Sequence, residues 1–396
     1  MGDLLALTPP MGWNHWYTWY HKITDQVVRR AADAMIASGM ADFGYQYVSI
    51  DDCWMIKPGD PDPVLGGEPR DADGAIRPNA RFPDMKALTD YIHGKGLKAG
   101  IYTSPGPLTC QKYTGSYQHE VIDARRFAQW GFDFLKYDWC SYGGVATGEG
   151  LARYQRPYRL MGEILKRQDR DIVFNLCQYG QGEVWKWGGE VGGHCWRTTG
   201  DLGLAKGSRL PGFYQIGLAN AKHFEYAAPG RWNDPDYLMI GCVGSPRRKG
   251  DAPQPTSLTP NEQYSYMSLW CLMAAPLFFS GDMTRLDAFT LNVLCNAEVL
   301  DVDQDVLGKQ GRLIRQNDNE LIMAKPLEDG SWTVGLFNLG EADRKLNLRF
   351  ADLAVQGPQR VRDLWRQRDL GVSPGSFEVT VPAHGVVLVK LQPEAQ

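Results

Sequence analysis

The sequence predicts an α/β protein in which a (β/α)8 TIM barrel is followed by a smaller antiparallel β-sandwich. In the first roughly 300 of the 396 residues, apolar strand-like runs alternate about eight times with segments of helical spacing, the order typical of a parallel barrel. Polar side chains collect directly after these runs. Beyond a last helix over 291–302, short runs of alternating apolar and polar residues replace this pattern.

Eight apolar runs are the predicted barrel strands. They span residues 11–19, 45–50, 97–102, 132–137, 171–177, 195–199, 230–240 and 276–280. Segments with a helical apolar face separate most of them, over 26–38, 84–93, 120–130, 151–168 and 260–273, and within 210–226. The Pro- and Gly-rich segment 58–83 is a long loop, and a loop of that length in a compact domain is usually functional.

Polar residues follow the predicted strands at the ends where a parallel barrel carries its active site. They are Asp51, Asp52, Tyr102, Asp138, Gln178, Asp201, Asp236 and Asp282. The segment 132–140 is the clearest case, because its apolar run ends in Lys136, Asp138 and Cys140, which a buried strand does not easily hold for packing alone. We therefore expect a catalytic site at this face of the barrel.

We predict two domains, the barrel over residues 1–304 and the sandwich over residues 305–396. After a connector, alternation recurs in the runs 321–324, 332–337, 345–348, 361–365, 377–381 and 386–389. This second domain either buttresses the barrel or binds carbohydrate on its own, and we favour the buttress.

Composition and charge argue against several classes of partner. The formal net charge is -4 without a block of like charges, which disfavours nucleic acid. No apolar stretch reaches about 18 residues, so no membrane span is expected. Residues 1–10 show no basic segment followed by an apolar core, the pattern of a signal peptide. The compartment stays open: secreted or periplasmic after removal of a signal, or cytoplasmic. The sequence also leaves open whether the chain forms a homo-oligomer.

The eight cysteines and seven histidines show no metal-binding motif. Neither a CxxC pair nor an HExxH motif occurs, so we expect no metal and no organic cofactor. One or two disulfides are compatible with this number of cysteines, and the remaining thiols are expected to be free and buried.

The acidic strand ends, together with 13 Trp and 18 Tyr, indicate sugar chemistry, although a large core also needs aromatic residues. Glycoside hydrolysis uses two carboxyl groups, about 5–5.5 Å apart in a retaining enzyme. Each candidate has the alternative of capping a helix or forming an ion pair. The candidates are Asp51, Asp52, Asp138, Asp201, Asp234, Asp236 and Asp282.

Lys136 lies on the same side of its strand as Asp138 and would favour the ionised carboxylate of a nucleophile. Arg197 precedes Asp201 by four residues and would position it.

Over nearly its whole length the chain resembles the melibiase-type α-galactosidases of glycoside hydrolase family 27, which also include α-N-acetylgalactosaminidases. The matching stretches are MGWNHW at 11–16, IDDCW at 50–54, GLKAGIY at 96–102, LKYDWC at 135–140, WRTTGD at 196–201, WNDPD at 232–236, AAPLF at 274–278 and LGKQG at 307–311. Single motifs of this kind are weak signals. Eight of them in order, each at a predicted strand end or at the domain connector, are a strong one.

The resemblance implies a retaining exo-glycosidase for terminal α-D-galactosyl residues of small-molecule or oligosaccharide substrates. It assigns the nucleophile to Asp138 and the acid/base to Asp201, whose pKa would be raised by negative neighbours. It also implies substrate-binding roles for Trp16, Asp51, Asp52, Tyr102, Lys136, Cys110, Cys140, Gln178, Arg197 and Asp236. Among these, Cys110 and Cys140 would form a disulfide beside the nucleophile, and Asp51 and Asp52 would grip the C4 and C6 hydroxyls.

Some positions depart from the family pattern. Gln178 replaces a glutamate near the sugar C2 substituent, Tyr237 stands where Met is common, and Trp139 replaces a smaller residue behind the nucleophile. His21 stands where many members carry a cysteine, so Cys53 lacks its usual partner. The alternatives are an α-N-acetylgalactosaminidase or a β-L-arabinopyranosidase of the same family, or a non-catalytic sugar-binding protein.

Overall fold

A computed structural model of the protein describes residues 5–204, 209–244 and 252–394. Within them, eight parallel strands and the accompanying helices form the first part of the chain, and eight antiparallel strands form the second. The predicted fold class, a (β/α)8 barrel followed by a β-sandwich, is confirmed. The predicted boundary between residues 304 and 305 falls between the last helix, which ends at Asp303, and the first sandwich strand, which begins at Arg312.

The parallel strands curl into a barrel. They are β1 Met11–Asn14, β2 Tyr47–Ser49, β3 Lys98–Thr103, β4 Phe134–Asp138, β5 Val173–Cys177, β6 Cys195–Arg197, β7 Trp232–Asp234 and β8 Leu277–Phe279. The order is β8-β1-β2-β3-β4-β5-β6-β7, and the segment after β7 completes the ring through a parallel bridge between Leu238 and Phe279. Because all strands run the same way, the residues after each strand meet at one face.

Ten α-helices occur in the described part of the chain, besides short 3-10 turns. They are α1 Trp16–Trp19, α2 Asp25–Ala37, α3 Met85–His93, α4 Glu120–Trp130, α5 Gly150–Leu165, α6 Val184–Trp187, α7 Gly212–Ala221, α8 Pro260–Leu272, α9 Ala288–Leu294 and α10 Ala297–Asp303. A short hairpin joins Cys242–Val243 to Gln254–Pro255. Among the described residues, none of the helices combines the length and the hydropathy that a bilayer-spanning segment needs.

Two predicted elements differ from the structure. The first strand ends at Asn14, not residue 19, because the Asn14 side-chain oxygen accepts the Trp16 amide at 2.9 Å and turns the chain into α1. The single helix predicted over 291–302 is two helices. Asn296 separates them: its oxygen caps α10 by accepting the Val299 amide at 3.2 Å.

The second part of the chain is an antiparallel β-sandwich. Its strands are β9 Arg312–Gln316, β10 Glu320–Pro326, β11 Trp332–Asn338, β12 Arg344–Arg349, β13 Gln359–Asp363, β14 Arg368–Ser373, β15 Ser376–Val381 and β16 Val386–Pro393. Six form one sheet in the order β9-β10-β11-β16-β13-β14, and β12 pairs with β15. The sequence pattern missed β9 and β14, the two edges of the large sheet, because neither strand buries an apolar face.

The hydrophobic core of the barrel continues onto one face of the large sandwich sheet, and the sandwich has a second, separate core between its two sheets. Helix α8 is buried along most of its length and packs against strands of the sandwich, so no polar face appears in its sequence. At the contact, a Cβ on Gly335 would lie 2.5 Å from Phe337 Cε2 and 2.7 Å from Leu272 Cδ1, so the absence of a side chain at Gly335 permits this close approach. Polar contacts join the same surfaces: Ser265 donates to the His384 carbonyl at 2.9 Å, and Trp365 donates to Ser268 Oγ at 2.8 Å.

Candidate active site

Asp138 ends β4 at the centre of the face formed by the strand ends. Its side chain is buried, with 5% of the residue exposed. Two phenols donate hydrogen bonds to it: Tyr179 to Oδ1 at 2.6 Å and Tyr102 to Oδ2 at 3.1 Å. A buried carboxylate with a donor on each oxygen is held in one orientation, which a nucleophile requires.

Burial raises the pKa of Asp138 to about 6. The Lys136 ammonium and the hydrogen bond from Tyr179 lower the pKa, whereas the charges of Asp201 and Asp51 raise it. Lys136 therefore favours the ionised carboxylate, as expected from the sequence, but desolvation outweighs it. The structure shows why: the ammonium lies 2.9 Å from Asp51 Oδ2 and forms its direct ion pair there.

Asp51 is the acceptor at the centre of a buried polar cluster. Its Oδ2 accepts hydrogen bonds from Lys136 Nζ, Asn14 Nδ2 and Tyr237 Oη, each at 2.9 Å. Burial raises its pKa, but the Lys136 charge and the hydrogen bonds from Lys136 and the Asp52 amide more than offset burial, and the net shift is downward. Asp51 is therefore held as a buried anion at the C-terminal ends of the barrel strands.

Asp52 lies beside Asp51 and is bound by backbone amides. Oδ1 accepts the Cys53 amide at 2.7 Å and Oδ2 accepts the Gln111 amide at 2.9 Å. Burial raises its pKa to about 7, because the nearby Asp51 charge adds to desolvation and the hydrogen bonds only partly oppose them. The two predicted binding carboxylates therefore differ in charge state near neutral pH.

Asp201, Arg197 and Asp236 form a second group at the same face. The buried Arg197 guanidinium donates to the Gly200 carbonyl at 2.7 Å and lies 3.2 Å from both Asp201 Oδ1 and Asp236 Oδ2. The Asp201 side chain is 62% exposed, unlike the buried Asp138. Among the described residues, Arg197 is the partner of the Asp201 carboxylate, and the predicted effect of negative neighbours on Asp201 stays a prediction.

Asp236 is saturated by hydrogen bonds from the protein. Its Oδ2 accepts the Tyr17 hydroxyl at 2.7 Å and the Leu202 amide at 2.9 Å, and its Oδ1 accepts the Tyr237 amide at 2.9 Å. Burial raises its pKa, and the Arg197 charge opposes the rise. In this arrangement Asp236 anchors Arg197, and its predicted contact with a sugar hydroxyl stays a prediction.

The turn after β5 differs most from the expectation. Gln178 is fully buried, and its side-chain amide donates to the Gln181 carbonyl at 2.5 Å, within its own turn. The next residue, Tyr179, reaches the Asp138 carboxylate. The Gln178 side-chain oxygen has no hydrogen-bond partner among the described residues, and its predicted contact with the C2 substituent stays a prediction. Trp16 is only half-buried, and its ring centroid lies 4.5 Å from that of Tyr20.

The disulfide between Cys110 and Cys140 is present, as expected, with 4.9 Å between the Cα atoms. Cys110 Sγ lies 4.0 Å from Asp138 Oδ2. Cys53 is a free, buried thiol. In the described ranges, the one cluster with the spacing of a metal site consists of Cys110, Asp138 and Cys140, and its two sulfur atoms are joined to each other.

Three tyrosines of this site escaped the sequence-based assignment of roles: Tyr17, Tyr179 and Tyr237. Each directly binds one of the predicted aspartates through its hydroxyl group. Two of them follow a strand end by a few residues, so aromatic residues just after strand ends were the available signal. The third, Tyr17, lies in α1, which the sequence pattern assigned to a strand.

Comparison with known proteins identifies the family. A family model described as alpha galactosidase A matches residues 8–305, and one described as the alpha galactosidase C-terminal beta sandwich domain matches residues 318–391. The chain belongs to the melibiase-type α-galactosidase family of glycoside hydrolases. Alpha-galactosidase 2 of Arabidopsis thaliana is 36% identical over 99% of this chain and 91% of the relative.

Solved structures of this α-galactosidase family agree. Alpha-galactosidase I from Mortierella vinacea superposes with a TM-score of 0.88 at 30% identity, covering 100% of both chains. A β-L-arabinopyranosidase of family 27 from Geobacillus stearothermophilus superposes with a TM-score of 0.84 at 26% identity, covering 98% of this chain and 97% of that one. Both comparisons extend over the barrel and the sandwich.

The pKa of Asp138 gives a testable pH dependence. A nucleophile must be ionised, so kcat/KM is expected to fall tenfold per pH unit below an apparent pKa of about 6. Asp52 has a pKa of about 7 and therefore titrates in a similar pH range. Asp52→Asn is the matched control because it removes the titration of Asp52. The limb near pH 6 should persist in this variant. A wild-type limb near pH 4 would contradict the desolvation of Asp138.

Proposed function

We propose that the protein is a retaining exo-glycosidase that removes terminal α-D-galactosyl residues from oligosaccharides, with Asp138 as nucleophile and Asp201 as acid/base. The observation that carries the proposal is the contrast between these two carboxyl groups. Asp138 is buried and held by two phenols, whereas Asp201 is exposed and, among the described residues, is held by Arg197. The names and the full-length similarity of the relatives support α-galactosides as the substrates.

In the first step, a carboxylate oxygen of Asp138 attacks the anomeric carbon and forms an ester bond to it. The bond to the glycosidic oxygen breaks, and Asp201 gives its proton to that oxygen, so the leaving group departs as a neutral alcohol. The exposed position of Asp201 suits this role, because the proton must reach an oxygen on the solvent side of the sugar.

In the second step, water attacks the anomeric carbon of the galactosyl ester. Asp201, now ionised, takes a proton from the water, and the bond to Asp138 breaks to release galactose and restore the carboxylate. The product keeps the anomeric configuration of the substrate, since two displacements occur at the same carbon. No metal ion or organic cofactor takes part in either step.

Asp51 and Asp52 would recognise the sugar by binding its hydroxyl groups. Asp51 is held as an anion by Lys136, and such a carboxylate binds hydroxyl groups strongly because the hydrogen bonds are charge-assisted. Trp16, half-buried at the entrance, would form an apolar wall for the sugar ring. A pair of carboxyl groups favours a hexose with a free C6 hydroxyl over a pentopyranose, which lacks that group.

Kinetics on nitrophenyl glycosides test this proposal. The 4-nitrophenyl α-D-galactoside should have a higher kcat/KM than the corresponding α-N-acetylgalactosaminide and β-L-arabinopyranoside. The last is a relevant rival because one structural neighbour is a β-L-arabinopyranosidase. Proton NMR of the first product formed should show retained configuration. Faster turnover of either rival, or an inverted product, would refute the proposal.

A further inference from the structure

The turn from Gln178 to Gly182 has an unusual backbone. Tyr179 has a φ of 63° and Gly180 a φ of 80°, and Gly182 and Glu183 follow with φ values of 62° and 56°. This left-handed region is costly for residues with a Cβ atom, and a tyrosine is rarely found there. Strain of this kind persists only where the surroundings impose it, and it clusters at functional sites.

Several contacts impose the conformation of this turn. The side-chain amides of Gln178 and Gln181 each donate to the other residue's carbonyl, at 2.5 and 3.1 Å. The Gly180 amide donates to the Arg197 carbonyl at 3.0 Å, which fastens the turn to β6. A Cβ on Gly180 would lie 2.2 Å from the Thr198 carbonyl oxygen, so only glycine fits.

The turn places one side chain on the nucleophile. The Tyr179 hydroxyl donates to Asp138 Oδ1 at 2.6 Å, and it lies 3.8 Å from Cys110 Sγ on the other side. The Arg197 guanidinium lies over the ring at 5.7 Å from its centroid. Burial raises the pKa of the phenol, so it keeps its proton and acts as a donor.

We propose that Tyr179 is a positioning residue for the nucleophile and that the strained turn around it exists to hold its phenol on Asp138. The inference rests on the proposed role of Asp138. A hydrogen bond to the carboxylate stabilises the anion of the free enzyme. It also stabilises the charge that returns to Asp138 when the galactosyl ester is hydrolysed, since the carboxylate is the leaving group of that step. On this inference, Gln178 and Gly180 act by holding the turn that positions Tyr179, and not by contacting the sugar.

Other titratable or charged side chains also lie near Asp138, and they stay unchanged when Tyr179 is replaced. They are Lys136 on the same strand, Asp51 after β2, Tyr102 on β3, Cys177 on β5, Arg197 at the end of β6 and Asp201 beyond it. Tyr158 on α5 also lies near Asp138 and is changed only in the control variant. A change confined to Tyr179 therefore isolates one hydrogen bond among several charges.

The test compares Tyr179→Phe with the matched control Tyr158→Phe in the full-length protein. Tyr158 is buried behind the site, and its hydroxyl has no hydrogen-bond partner among the described residues. In Tyr179→Phe the acid limb of kcat/KM should rise by about one pH unit, since a hydrogen bond to the anion is lost. With a 2,4-dinitrophenyl galactoside, kcat should fall about tenfold and a pre-steady-state burst should appear, because ester hydrolysis becomes slower. Tyr158→Phe should change neither.

A second variant tests the turn itself. Gly180→Ala keeps the phenol but clashes with the Thr198 carbonyl, and it should shift the acid limb in the same direction as Tyr179→Phe. An unchanged limb and no burst in a folded Tyr179→Phe protein would overturn the inference. If Asp138→Ala retained wild-type turnover, the proposed function itself would fail, and the two failures are therefore distinguishable.

Discussion

Replacing Asp138 with alanine is expected to lower kcat on aryl α-galactosides on the order of 10⁴- to 10⁶-fold. The change removes the atom that forms the covalent intermediate, and losses of this size are typical of nucleophile deletions. The loss should fall on kcat and kcat/KM alike, because the carboxylate acts on the reacting carbon more than on ground-state binding. Steady-state kinetics with 4-nitrophenyl α-galactoside measure it directly.

Two further measurements separate a nucleophile from a structural carboxylate. In Asp138→Gly, added azide should restore turnover and yield a galactosyl azide of inverted configuration, since the small anion replaces the missing carboxylate. Asp282→Ala is the matched control: Asp282 is also a buried aspartate after a barrel strand, but it caps a turn by accepting the Thr284 amide at 2.9 Å. It should cost about 1 kcal/mol of stability and leave kcat unchanged. Azide without effect on Asp138→Gly would argue against the nucleophile role.

Replacing Asp201 with alanine is expected to produce a loss that depends on the leaving group. A galactosyl disaccharide has an alcohol leaving group that needs a proton, so its kcat/KM should fall by about 10²- to 10⁴-fold. A 2,4-dinitrophenolate leaves without protonation, so kcat/KM for that galactoside should remain within a few-fold of the wild type.

The pair of substrates serves as the internal control for Asp201→Ala. Misfolding or loss of sugar binding would lower kcat/KM for both substrates equally, whereas loss of an acid catalyst spares the activated one. Equal losses on the two substrates would therefore assign Asp201 a structural or binding role. The exposed position of its side chain makes a folding defect an unexpected outcome, since surface substitutions change stability little.

Much of the fold follows from periodicity along the chain. The strands of the barrel are buried on both faces and read as short apolar runs, so a predicted run overlaps each of the eight, although the runs 11–19 and 230–240 extend well beyond β1 and β7. The positions of Asp51, Asp138 and Asp201 at strand ends then follow from parallel topology alone. The failures have local causes: the Asn14 side chain ends β1 early, and Asn296 divides the last helical segment in two.

The network around these carboxyl groups does not follow from the sequence. Lys136 lies two residues before Asp138, which predicts an interaction along the strand, but its ammonium binds Asp51, 85 residues earlier in the chain. Tyr237 reaches Asp51 across 186 residues. Such contacts depend on how far a side chain extends across the barrel mouth, and no periodicity encodes that distance.

The contact between Leu272 and Gly335 limits how this architecture can be recombined. If a flexible linker joined the sandwich to the barrel, gene fusion could add, remove or exchange the sandwich as an independent domain. Here helix α8 packs directly against the barrel-facing side of the large sandwich sheet, so the residues on the two surfaces must fit each other. If the sandwich were exchanged between relatives, α8 would have to be exchanged with it, or the residues on both sides of this interface would have to be redesigned.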